Sequence, residues 1–237
     1  MQGERAEPSG RTPGFWRVTL AVARKDLLLE LRTRSAILSA LAFAVLAITV
    51  AFFAWDPTAV PSGDLAPGVL WVTVTFAALL GLHRSFGVEQ PTRAIDALLA
   101  APVDREAVFA GKLLANLAFV LAIEAVAIPG IALLYNVPLA GVTLRLAGVA
   151  LLAAIGIVTV GTLFAAMSVS TRLAELLLPL LSLPFFVPVI LPAAQATARL
   201  LSGSALSEAR GYLQLLAAFD LVFIVVCTLA YPYTLEE

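Results

Sequence analysis

One cysteine and one histidine stand in a chain of 237 residues. The lone Cys227 excludes an internal disulfide and any cysteine-built metal cluster. The lone His83 excludes a histidine-built zinc site of the H-E-x-x-H kind, so no metal site is expected. The phosphate-cradling G-x-x-x-x-G-K-[ST] loop is missing too. The Gly111-Lys112 pair is preceded, five positions before Gly111, by Glu106 rather than glycine, so ATP is not expected to be hydrolysed here. There is no G-x-S-x-G elbow, and His83 has no obvious nucleophile to serve. As a haem ligand, His83 would sit at a membrane edge, where a plain interfacial role is the simpler reading. The chain is therefore expected to carry no catalytic machinery of its own and to bind no cofactor directly.

Charge is the second scarcity. Only 13% of residues are charged, against about 25% in soluble domains. Hydrophobic residues make up 61%, and the mean hydropathy is +0.97. A soluble fold of this length would have to leave much of that apolar surface in water. The formal net charge of -1 offers no basis for a nucleic-acid partner. The composition is that of a protein dissolved in the lipid bilayer.

What is present fits that medium. Six long apolar segments contain no lysine or arginine: Ala36–Trp55, Leu65–Leu82, Leu113–Tyr135, Leu146–Val169, Leu173–Ala194 and Tyr212–Pro232. Each is near the roughly 20 residues that a helix needs to cross the hydrocarbon. The expected fold class is an all-α membrane protein of six transmembrane helices. Its expected parts are a disordered cytoplasmic tail over 1–14, an amphipathic interfacial helix over 15–34, and a six-helix transmembrane domain over 35–237 with a cytoplasmic loop at 83–112. The tail, rich in glycine, proline and charge, is not expected to be a signal peptide.

In the segment 15–34, Phe15, Val18, Val22 and Leu29 recur near the helical period, while Arg17, Arg24, Lys25, Arg32 and Arg34 supply a basic face. That pattern suits a helix lying in the plane of an anionic leaflet; the alternative is an extension of the first span. Lysines and arginines divide twelve to three between the two sides of the six spans. The richer side carries both termini, which predicts that both are cytoplasmic. Residues 195–211 read as a loop on the opposite side, with a short surface helix around Leu200, Leu201 and Leu206.

Two features of the spans are candidates for function. Glu124 and Asp220 lie deep in apolar segments, where an ionisable group is costly and marks a site by default. The competing reading is an uncharged or hydrogen-bonded side chain that fixes helix packing. The fifth segment carries Pro179, Pro184, Pro188 and Pro192, which predicts a bent or broken helix. Pro129 should likewise kink the third span. Gly148, Gly156, Gly161 and Ala165 would permit close helix contact in the fourth.

Between the second and third spans, Ile95, Leu98 and Leu99 fall at i, i+3 and i+4 on a short helix ending before Pro102. Such a stripe fits a groove on another protein or the underside of the membrane helices. Pattern alone leaves both open.

A set of short motifs then narrows the choice. Ala66-Pro67-Gly68-Val69-Leu70-Trp71-Val72 is followed by Gly81-Leu82-His83-Arg84-Ser85-Phe86 and Glu89. Leu98-Leu99-Ala100-Ala101-Pro102-Val103-Asp104-Arg105 and Gly111-Lys112-Leu113-Leu114 come next. Phe219-Asp220-Leu221 and the ending Tyr233-Thr234-Leu235-Glu236-Glu237 complete the set. Together they resemble the CcmB family of cytochrome c maturation permeases, over the chain from Arg24 onward. Arg93, after Gln90-Pro91, departs from a glycine common in that family.

The resemblance implies a type-2 ABC exporter-like permease in a bacterial cytoplasmic (inner) membrane, with an in-plane helix before six spans. It implies that Glu89, Ile95, Leu98, Leu99, Pro102 and Arg105 couple to an ATPase subunit, CcmA. It also implies CcmC and, indirectly, the haem chaperone CcmE as partners. ATP would enter through the partner ATPase, and haem would be a possible cargo of the complex. Six spans make half of such an exporter, so a homodimer is expected. Two mechanisms follow from the resemblance. The complex moves haem outward, or it drives release of haem-loaded CcmE from CcmC; the few polar residues in the spans favour the second. A permease for a drug, lipid or other small molecule is the alternative.

Overall fold

The computed structural model describes residues 14–87, 104–168 and 174–235, and every regular element among them is helical. Seven α-helices follow in order: α1 Phe15–Thr33, α2 Ser35–Ala54, α3 Ser62–Gly87, α4 Arg105–Leu134, α5 Thr143–Ser168, α6 Ala174–Leu201 and α7 Leu206–Ala230. A 3₁₀ turn, Tyr231–Leu235, closes the described chain. The helices α2 to α7 are each long and apolar enough to cross a membrane. The chain is a multi-pass, all-α membrane protein.

Helix α5 is the central post. Buried residues make up 72% of its span, against 22% for α2 and 17% for α7. It packs on α3, α4, α6 and α7, while α2 leans mainly on α3 and α4 among the spans. Small residues let these helices close up. Ala40 and Ala44 of α2 meet Ala77 of α3 and Ile123 of α4 in one buried cluster. A Cβ on Gly161 would collide with Leu82 Cδ1, so α3 and α5 touch where α5 has no side chain. Ala165 is buried as well, but Gly148 has open space above it and makes no such contact.

The helices outrun the apolar segments at several ends. Helix α4 begins at Arg105, well before the first apolar residue assigned to its span, and carries Pro129 without interruption. Helix α6 runs unbroken to Leu201 through the proline positions, so the expected break is absent. An in-helix proline deletes one ladder bond, and neighbouring helices hold the rod together around the gap.

That continuity also removes the expected loop at 195–211. Leu200 and Leu201 are the last turn of α6, Leu206 is the first residue of α7, and only 202–205 connect them. The reversal uses Gly203 at φ 75°, with the Ser204 N–H donating to the Arg199 carbonyl at 3.1 Å. This is the left-handed ending that glycine adopts without a steric cost. Arg199 and Glu208 face each other across the turn at 3.8 Å.

Candidate functional site

The start of α4 is where separate parts of the chain are fastened together. Val18 and Val22 of α1 form a small buried cluster with Ala107 and Val108 of α4. The Thr19 hydroxyl donates to the Ala107 carbonyl at 3.2 Å. One turn on, Gly111 lets the two backbones approach: a Cβ there would stand 2.7 Å from the Thr19 carbonyl oxygen and 2.7 Å from Val22 Cβ. One residue further, the Lys112 ammonium lies 3.4 Å from the Asp26 carboxylate, and Lys112 is only 1% exposed. Asp26 is also 3.0 Å from Lys25. The buried cation is thus matched by an anion from 86 positions earlier.

The other end of the chain reaches the same place. The Arg105 guanidinium donates to the Pro232 carbonyl at 3.0 Å, and the Phe109 and Tyr231 rings lie 4.8 Å apart. Arg105 is the one residue of the sequence-derived coupling set among the described residues. Glu89, Ile95, Leu98, Leu99 and Pro102 lie outside them.

Helix α1 departs from its sequence pattern. The stripe of Phe15, Val18, Val22 and Leu29 does not form one lipid-facing side, because Val18 and Val22 are buried against α4. The exposed apolar side is instead Trp16, Leu20, Leu28 and Leu31. Helix α1 ends at Arg34, whose φ of 54° turns the chain into α2. Across that turn the Ile37 N–H donates to the Glu30 side chain at 2.8 Å.

The two intramembrane carboxyls sit on different helices. Glu124 is 2% exposed on the α4 face that also buries Val120, Ala127 and Ile131. Asp220 is 5% exposed on α7, against a recess that Gly156 leaves in α5: a Cβ there would lie 2.9 Å from Asp220 Oδ1 and 2.9 Å from Val189 Cγ2. None of the four carboxyl oxygens has a hydrogen-bond partner among the described residues. Their depth follows from one bond, Asn116 Nδ2 donating to the Thr162 hydroxyl at 2.9 Å between α4 and α5. Glu124 lies eight residues after Asn116 along α4, about 12 Å, and Gly156 lies six residues before Thr162 along α5, about 9 Å. Both carboxyls therefore lie at similar heights above the Asn116–Thr162 bond.

Sequence reasoning missed Asp26, Thr19, Asn116 and Thr162. Asp26 had a signal: it continues the run Val18, Val22 at four-residue spacing, an acid in an apolar stripe. Asn116 and Thr162 are single polar residues in long apolar runs, and their pairing depends on which helices are neighbours. The same holds for Trp71 Nε1, which donates to the Thr197 hydroxyl at 2.9 Å and ties α3 to α6.

Comparison with known proteins gives a consistent result. Residues 17–237 match the model of the family described as "CcmB protein". Heme exporter protein B of Rhodobacter capsulatus is 32% identical over 186 residues, covering 78% of this chain and 85% of the relative. Heme exporter protein B of Paracoccus denitrificans is 31% identical over 218 residues, covering 89% and 94% respectively. The protein of the same name from Haemophilus influenzae is 30% identical over 179 residues, 73% of this chain and 78% of the relative.

Proposed function

This chain belongs to the CcmB protein family, and from that premise we propose that it is the membrane permease subunit of an ABC-type complex in cytochrome c maturation. Its relatives are named for haem export, which makes haem the cargo of the complex in this reading. The energy comes from ATP hydrolysed by a separate ATPase subunit of the CcmA kind. That subunit docks on the segment holding Glu89, Ile95, Leu98, Leu99 and Pro102. Both termini and the docking segment face the cytoplasm of a bacterial inner membrane, and two copies of the chain complete the exporter.

The observation that carries this reading is the junction at the start of α4. The docking segment leads directly into Arg105, and α4 is a continuous rod of 30 residues, about 45 Å long. At its foot, α1 and the C-terminal turn are fastened by Lys112–Asp26, Thr19–Ala107 and Arg105–Pro232. A push delivered by the ATPase therefore moves three parts of the chain together and reaches the far side of the membrane along α4. The output is release of haem-loaded CcmE from CcmC. A chain with one histidine and one buried cysteine offers little to hold haem iron in transit.

The relatives' name favours a second reading, in which haem itself crosses with this subunit. Haem staining of c-type cytochromes and of CcmE in cells lacking the chain separates the two. Loss of mature cytochromes with haem still accumulating on CcmE supports the release role. Loss of both signals supports outward haem delivery. Normal cytochromes would remove the maturation assignment and leave a permease for another small molecule.

A further inference from the structure

Of the two helices that flank the docking segment, α3 is the interior one. Buried residues make up 67% of its span, against 28% for α4, and it packs on α2, α4, α5 and α6. Its last turns before Gly87 are keyed to three neighbours. The Phe119 ring of α4 lies so close over Gly81 that a Cβ there would overlap it. Next along the chain, Leu82 Cδ1 fills the place where Gly161 of α5 lacks a side chain. Phe186 Cζ of α6 stands 3.6 Å from that same place, so α3, α5 and α6 converge on Gly161. Nearer the other end of α3, the Trp71 indole N–H donates to the Thr197 hydroxyl of α6 at 2.9 Å, with both residues buried.

The two meeting points of α3 and α6 are in register. Leu82 and Trp71 are eleven residues apart on α3, and Phe186 and Thr197 are eleven apart on α6. Each interval is about 16 Å along its helix, so the antiparallel pair is held at two matched points. Neither helix can slide or tilt alone without breaking one of them. An indole N–H left without an acceptor in hydrocarbon is costly, so Trp71 keeps Thr197 with it when α3 shifts.

We propose that α3 and α6 move as one lever, with Trp71 and Thr197 as the positioning residues that deliver motion of the docking segment to the turn between α6 and α7. Helix α6 ends at Leu201, four residues after Thr197. The turn beyond it is stiffened by the Ser204 N–H bond to the Arg199 carbonyl and by the Arg199–Glu208 pair. The surface displaced on the far side is therefore the turn at 202–205 with the exposed first residues of α7, Leu206, Ser207 and Glu208. Gly161, which has no side chain to obstruct Leu82, is the point of α5 over which the lever turns. This lever rests on the coupling role proposed above.

The test uses the full chain assembled with its ATPase subunit in nanodiscs, with a solvent-sensitive dye on Ser207→Cys; the native Cys227 is buried and stays unlabelled. Emission is compared without nucleotide and with ATP plus vanadate, and ATP turnover is measured on the same samples. The labelled but otherwise unaltered chain should show a nucleotide-dependent change. Thr197→Val keeps the shape and Trp71→Phe keeps an aromatic ring, but both lose the bond. Each should shrink the change about fivefold, the population bias that one buried neutral hydrogen bond supplies, while ATP turnover continues. Thr197→Ser keeps the acceptor and should retain the change. So should Asn116→Val, which breaks an equally short bond between α4 and α5 that lies off the lever. Should one of the two bond-breaking variants fail to insert, the other still decides. A full-size change without the bond overturns the lever and leaves the coupling role standing. A loss in Asn116→Val as large as in Thr197→Val also overturns it, since any buried bond would then suffice. Loss of ATP turnover itself would assign Trp71 and Thr197 to ATPase docking, and overturns it too. No nucleotide-dependent change in the unaltered chain defeats the coupling role, and the lever with it.

Discussion

The Lys112 ammonium, on the first turns of α4, lies 3.4 Å from the Asp26 carboxylate on α1, and Lys112 is almost wholly buried. A buried ion pair adds little net stability over apolar packing, but loss of one member is costly. Asp26 is also 3.0 Å from Lys25, so it belongs to a small charge cluster. Asp26→Asn and Lys112→Met should each destabilise the protein. The double variant should recover part of the loss, with a coupling energy of about 1 kcal/mol or more. SDS-titration unfolding of the four proteins measures this cycle; strictly additive effects would show that the contact carries no energy.

Gly111 should tolerate no side chain while α1 stays in place. An alanine Cβ would collide with the Thr19 carbonyl and Val22 Cβ, both 2.7 Å away, and one of those atoms is backbone. The expected cost is about 1–3 kcal/mol of overpacking, taken up by α1 lifting off α4. Hydrogen exchange should rise through Val18–Asp26 and stay unchanged in α5. Unaltered protection of α1 in Gly111→Ala would mean that the approach is looser than the geometry states.

The spans were legible because their signal is local. A run of some 20 residues without lysine or arginine, such as 36–55, has one stable home, and each such run became a helix. Helix ends were less legible, since α4 reaches back to Arg105 and α6 on to Leu201 through polar residues that no hydropathy rule requires. What could not be read is who faces whom. Val18 and Val22 looked like a lipid-facing stripe because the partner, Ala107 and Val108, is some 85–90 positions away in the chain. Asn116 with Thr162 and Trp71 with Thr197 are invisible for the same reason. Glu124 and Asp220 stood out at once, because a carboxyl in a membrane helix is conspicuous whatever surrounds it.

Arg105 should hold the C-terminal turn against α4. Arg105→Ala removes its bond to the Pro232 carbonyl but leaves the Phe109–Tyr231 ring contact. Faster hydrogen exchange and earlier proteolysis after Ala230 are expected, with a global stability change near 1 kcal/mol. If the turn remains protected, the ring contact alone suffices to hold it.

Asp220 occupies space that only a glycine at 156 provides. Gly156→Ala places a methyl 2.9 Å from Asp220 Oδ1 and Val189 Cγ2, which should cost about 1–3 kcal/mol. The clash should shrink when Asp220 is shortened, so Gly156→Ala should be milder in an Asp220→Ala background. Equal costs in both backgrounds would place the conflict at Val189 instead.

Glu124 decides between packing and chemistry. Its oxygens have no partner among the described residues, yet Val120, Ala127 and Ile131 on the same face are closely buried, so its shape alone could fill the site. Glu124→Gln keeps that shape and removes the ionisable group. If Glu124 serves only packing, cells carrying this variant should make haem-stained c-type cytochromes at close to wild-type levels, and the variant protein should unfold at nearly the same SDS concentration. Glu124→Ala should then lose about 2 kcal/mol or more through the cavity it opens between α4 and its neighbours. A Gln variant that inserts and folds normally but yields no mature cytochrome gives the opposite answer. It would assign Glu124 a role that depends on the carboxyl itself, and it would make mid-membrane chemistry, rather than mechanical transmission along α4, the step to explain.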